Sequence, residues 1–91
     1  MLPIRWRTEA QADLATILAY IAERNLQAAS DLHDRIDHAV SQLPHHPYLY
    51  RAGRVANTHE LIIHPSYLIG YRVGTTAIEI ISIVQTRQQE P

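Results

Sequence analysis

The sequence contains no cysteine, which excludes disulfides and thiolate metal sites and leaves packing alone to hold the fold together. Lysine is absent as well, so all eight cationic side chains are arginine. Arginine presents a planar fork to carboxylates and phosphates but keeps its proton, so any acid–base chemistry falls to His, Glu, Asp or Tyr. No apolar run approaches the roughly 20 residues that span a bilayer. The opening Met1-Leu2-Pro3-Ile4-Arg5-Trp6-Arg7 also lacks the uninterrupted apolar stretch of a signal peptide. No membrane association is expected, and the expected location is the cytoplasm. Strong charge of one sign is missing too: the formal net charge is −1, which supplies no global positive field and argues against a general nucleic-acid binder.

What is present suffices for one small globule. The chain has 91 residues, 46% hydrophobic and 19% charged, enough apolar surface to fold and too little net charge to favour disorder, so a single domain over residues 1–91 is expected. Charge is unevenly spread. Residues 8–43 hold Arg24 and Arg35 against six acids, whereas residues 51–91 hold four arginines against three acids.

Residues 3–7 alternate, with Ile4 and Trp6 on one side and Arg5 and Arg7 on the other, as in a short half-buried strand. Thr8 and Gln11 have capping-box spacing and predict a helix start. Leu14, Ile17, Leu18 and Ile21 recur at helical spacing, and Asn25 suits the end of that helix as a C-terminal cap. A second stripe, Ala29, Leu32, Ile36, Val40 and Leu43, stops at Pro44. So short a connection predicts an antiparallel helical hairpin.

Residues 44–58 read as a loop, after which the period becomes strand-like. Strands are expected at 59–64, 67–73 and 77–85, separated by Pro65-Ser66 and Gly74-Thr75-Thr76. The expectation is an α+β domain of order β-α-α-β-β-β, with the helical hairpin packed on one face of a small antiparallel sheet. The other face stays open, and function is expected on that face, on its rim or on the loop.

The loop carries Tyr48 and Tyr50 beside Arg51 and Arg54. Such a cluster suits base stacking, but Tyr and Arg are equally typical of protein interfaces, and near-zero net charge favours a protein partner. The six histidines do not suggest a metal. His33 and His38 lie five apart on a helix, roughly 140° round, and His59 and His64 lie five apart on a strand, hence on opposite faces. No metal and no cofactor are expected.

Three stretches resemble the ParE/RelE toxins of type II toxin–antitoxin systems, the plasmid-stabilisation family. Trp6 through Tyr20-Ile21, with Ala10, Asp13, Leu14 and Ile17, is similar to the opening strand and first helix of ParE-type members. His46-Pro47, Gly53-Arg54, Glu60-Leu61-Ile62-Ile63-His64-Pro65 and Tyr67 through Val73 are similar to the central segment. Glu79-Ile80-Ile81 through Arg87-Gln88 and Pro91 resembles the final strand and its terminal motif. The order and spacing of these short elements carry the resemblance, which covers residues 4–91. His59 stands where the family usually has Arg, and Gln85 where it usually has His.

The resemblance implies a toxin neutralised by a cognate, ParD-like antitoxin whose disordered tail wraps it. It also implies one of two targets: DNA gyrase, poisoned without catalysis, or mRNA on the ribosome, cut by an endoribonuclease. RNA cleavage through the 2′-hydroxyl needs a proton acceptor, a proton donor and cations around the phosphate. In a nuclease those roles would fall to Glu60, Arg72 and Arg87. Leu68 stands where RelE-like members carry Arg, and Gln85 cannot transfer a proton. The preferred reading is therefore a ParE-like gyrase inhibitor. The alternatives are a ribosome-dependent nuclease and a degenerate member that only binds antitoxin. Glu60 and Arg72 also admit a plainer reading as a cross-strand ion pair, while Tyr48, Tyr50, Arg51, Arg54 and Arg87 are the candidates for contact with target or antitoxin.

Overall fold

The computed structural model describes residues 1–86. Strand β1 (Ile4–Trp6) leads into helices α1 (Thr8–Ala22) and α2 (Leu26–Gln42), and strands β2 (His59–His64), β3 (Tyr67–Val73) and β4 (Ile78–Gln85) follow. This is the expected α+β order. The last three strands form the antiparallel meander, but β1 crosses back to pair in parallel with β4, giving a mixed sheet of order β1-β4-β3-β2. Ile4 sits opposite Ile78 and Trp6 opposite Ile80. Among the described residues no helix is long and apolar enough to cross a membrane.

Two helix-end expectations are corrected. Thr8 is not the N-cap of α1: Arg7 takes that position with no side-chain cap. Gln11 does not complete a capping box either, because its Nε2 donates to the Trp6 carbonyl at 3.1 Å and ties the helix to β1. Asn25 caps the start of α2 instead of the end of α1. Its Oδ1 accepts from the Ala28 amide at 3.0 Å, satisfying one of the orphan donors of a helix N-terminus.

The core lies between the hairpin and the inner face of the sheet. Leu32, Ile36 and Val40 from α2 and Leu43 at its C-terminal cap meet Leu61, Ile63, Ile69, Tyr71, Ile78, Ile80 and Ile83. The two helices contribute unequally: in α1 only Ala10 is buried, and Leu14, Ile17, Leu18 and Ile21 are half-buried. Asp13, which lies beside that stripe, uses Oδ2 to accept the Ile83 amide at 3.0 Å. It occupies the place of a neighbouring strand just past the point where β1 ends, so a carboxylate blunts an otherwise open edge.

Candidate functional site

Strand alternation divides the loop and its neighbours between the two sides of the sheet. His59 pairs with Tyr71 across β2 and β3 and stacks on its ring with centroids 5.3 Å apart. Tyr48 meets His59 edge-on at 5.8 Å, and Tyr50 packs against the core. His59 Nδ1 donates to the Tyr50 carbonyl at 3.1 Å, and the Tyr71 hydroxyl donates to the Pro47 carbonyl at 2.9 Å. These contacts anchor residues 47–50 to the inner side. Tyr71 has no exposed surface, and burial, with the neighbouring Tyr50, pushes its phenol up to about 12.

Glu60, one residue further along β2, points the opposite way. Its side chain is only 12% exposed. Oε1 receives both Nε and Nη2 of Arg51, at 3.2 and 3.1 Å, while Oε2 receives the Arg54 backbone amide at 3.3 Å with Arg54 Nε 3.8 Å away. One carboxylate thus holds two arginines. The segment carrying them is an arm: Ala52 bridges His59 in antiparallel fashion, Glu60 N donates to Arg51 O, and Gly53 N donates to Thr58 O. Asn57 takes the left-handed conformation (φ 66°) that closes the turn, a conformation asparagine tolerates better than most residues. Gly53 is required by close approach, since a Cβ there would collide with Thr58 Oγ1.

The arm lies at the side of a shallow groove on the open face. Arg54, Val55, Thr58 and Glu60 form the wall, and Leu68, Gly70, Ile81, Ser82 and Val84 the floor, around a cavity of about 130 Å³. Leu68 is 3% exposed although it faces away from the helical core. Ile81 reaches this face through a bulge: Gly70 pairs with Ser82 but Tyr71 pairs with Ile80, so Ile81 is the extra residue and alternation reverses there.

The aromatic and arginine residues of the loop are therefore split. Tyr48 and Tyr50 belong with His59 and Tyr71; Arg51 and Arg54 belong with Glu60. Glu60 and Arg72 are not brought together, either as a catalytic pair or as a salt bridge. Glu60 lies opposite Gly70, whereas Arg72 lies opposite Glu79 with Nε 3.9 Å from its carboxylate. Arg72 Nε is buried without a hydrogen bond among the described residues. Arg87 lies outside the described residues. No group of three or more metal-ligating side chains converges among the described residues.

Among the described residues, the open-face carboxylates Glu60 and Glu79 are each engaged by arginine, and no histidine or tyrosine lines the groove. The arrangement offers guanidinium donors beside an apolar floor, which suits recognition of a partner surface. Sequence reasoning missed the roles of Asp13, His59 and Tyr71. His59 had a signal in its strand parity, which sets it on the face opposite Glu60.

The family model described as the ParE toxin of the type II toxin–antitoxin system, parDE, matches residues 4–90. The chain is 36% identical over 89 residues to a Sinorhizobium fredii protein named "Putative toxin Y4kP", covering 97% of this chain and 92% of that one. Its fold is similar to a chain of the chromosomal ParDE system of P. aeruginosa, with a TM-score of 0.83, 21% identity, and coverage of 93% and 96% of the two chains. It is also similar to the YoeB/ParE toxin from Agrobacterium tumefaciens, with a TM-score of 0.68, 14% identity, and coverage of 92% and 98%.

Proposed function

Because the chain belongs to the ParE toxin family, and so is the toxin component of a type II toxin–antitoxin module, we propose that it inhibits growth by binding DNA gyrase and stabilising its cleaved-DNA state, without catalysis of its own. One observation carries the choice of target: among the described residues the open-face groove is floored by Leu68, Ile81 and Val84, and its one carboxylate, Glu60, is held by two arginines with no histidine or tyrosine beside it to complete a proton-transfer pair. A nuclease lacking both proton acceptor and donor forgoes roughly 10²–10⁴-fold of rate for each. A surface of guanidinium groups around an apolar floor loses nothing as a binding site. The same surface is where the antitoxin tail folds as it binds, its carboxylates meeting Arg51 and Arg54.

Two assays on the purified protein test the target. Gyrase supercoiling should fall and linear, cleaved plasmid should accumulate, while mRNA on programmed ribosomes stays intact. Codon-positioned cuts in primer extension, with supercoiling unaffected, would overturn the gyrase reading in favour of a ribosome-dependent nuclease.

A further inference from the structure

A second cavity lies at the other end of β2 from the arm, on the helical side of the sheet, and the toxin reading makes no use of it. It opens between the last turns of α1, the first half of α2 and the β2–β3 turn, with a volume of about 380 Å³. That volume falls within the roughly 300–1,000 Å³ of small-molecule sites. One wall is apolar, made of Ile21, Ala28 and Leu32.

The other wall is rich in donors. Ser66 and Tyr67 line it, and neither hydroxyl has a hydrogen-bond partner among the described residues. His64 Nδ1 accepts the Ser66 amide at 3.0 Å, which in the neutral ring leaves the proton on Nε2 as a donor. Arg35 also lines the cavity; it spends Nη1 on the Ile63 carbonyl at 3.2 Å, and its other N–H groups have no hydrogen-bond partner among the described residues. The lone acid of the lining, Asp31, has its Oδ1 occupied by Gln27 Nε2 at 2.9 Å. Its charge offsets that of Arg35, so the pair gives the lining no net positive charge to draw in a dianion.

We propose that this cavity binds an amphipathic monocarboxylate, its aliphatic body against Ile21, Ala28 and Leu32 and its carboxylate accepting from Arg35, Tyr67, Ser66 and His64. Donors beside one apolar wall suit a single carboxylate, and with Asp31 offsetting Arg35 the lining offers little to a dianion such as phosphate. The carboxylate comes either from a free acid or from the C-terminus of a peptide. An occupant would bridge the helical hairpin and the sheet, so it would stabilise the folded chain by mass action. The site is independent of the gyrase reading, since it shares no residue with the open-face groove.

The test is a titration of the ¹⁵N-labelled full chain, followed by amide shifts and melting temperature. The probes are 4-methylpentanoate and a blocked tetrapeptide ending in leucine with a free carboxylate, each beside its amide counterpart, together with inorganic phosphate. Saturable shifts at Leu32, Ser66 and Tyr67 and a rising melting temperature are expected for the carboxylates, with the amides at least about tenfold weaker. The tighter of the two carboxylate probes identifies the source. Tyr67→Phe should weaken binding about fivefold and Arg35→Gln about tenfold, with amide dispersion reporting that each variant is folded. Absence of saturable shifts, equal binding of the amides, or undiminished binding by both folded variants would overturn the site. Phosphate binding as tightly as the carboxylates would overturn its monoanion chemistry.

Discussion

On the inner face of the sheet, Ile69, Tyr71, Ile78 and Ile80 are fully buried beneath two helices. On the open face Leu68 alone is comparably buried, beside the arm formed by residues 51–58, while Ile81 and Val84 are half-buried and Ile62 is largely exposed. Side chains of equal hydrophobicity therefore serve different ends. Inner-face residues stabilise the fold at roughly 1.5–3 kcal/mol for each fully buried side chain. Open-face residues keep much of that gain in reserve for a partner, and the arginines held by Glu60 supply the polar rim that such an interface needs.

The sharpest way to break this comparison is a matched pair of truncations in β4. Ile80→Ala opens a cavity under the helices and should destabilise by roughly 2–5 kcal/mol, whereas Ile81→Ala, on the bulge facing the groove, should cost about 1 kcal/mol. Chemical denaturation of the two variants checks the difference. Equal losses would show that the open face is structural and that its apolar floor needs no partner.

The inner face also carries a shifted titration. Tyr71 ionises in the folded state only near pH 12, two units above its ordinary value of 10, because burial disfavours the phenolate. The folded chain therefore holds this proton more tightly than the unfolded chain. Stability is unaffected by this group below pH 10 and declines as pH rises from 10 to 12. Tyr71→Phe should remove that part of the alkaline decline in a series of melts between pH 9 and 12, and a variant that declines in parallel with the wild type would place the cause elsewhere.

The helices and the meander were legible because their signals are local: two stripes of helical period, Pro44, Pro65 and Gly74 as punctuation, and alternation in the strands. The parallel pairing of β1 with β4 was not, because the three residues of Ile4–Trp6 carry no mark of a partner at the far end of the chain. Asn25 suits either end of a helix, and only the Ala28 amide decides which. The site was half legible. Strand parity separates His59 from Glu60, but the partners of Glu60 are set by the arm, whose turn at Asn57 and close approach at Gly53 are tertiary facts. Register along the strands alone suggested Arg72, which the fold gives to Glu79. The bulge at Ile81 hides in Ile80-Ile81-Ser82-Ile83, where apolar residues on both sides leave alternation without a preferred phase.

The smallest effect on stability, and the most informative for function, is expected at the rim. The Arg54 side chain is 77% exposed and stands 3.8 Å from Glu60, whereas its backbone amide also binds that carboxylate and survives truncation. Arg54→Ala should therefore change stability by no more than about 0.5 kcal/mol, within the range of ordinary surface substitutions. Removing a guanidinium from a desolvated contact with a partner costs far more, roughly 2–5 kcal/mol. The variant should thus melt within a few degrees of the wild type while losing affinity for the antitoxin in a salt-dependent manner and relieving growth inhibition. Glu60→Gln serves as the companion, since it leaves both arginines in place but unties the arm that positions them. If Arg54→Ala melts normally and still inhibits growth, toxicity does not depend on the arm. If it melts far below the wild type, the open-face rim is part of the structural framework, and the division between the two faces fails at its edge.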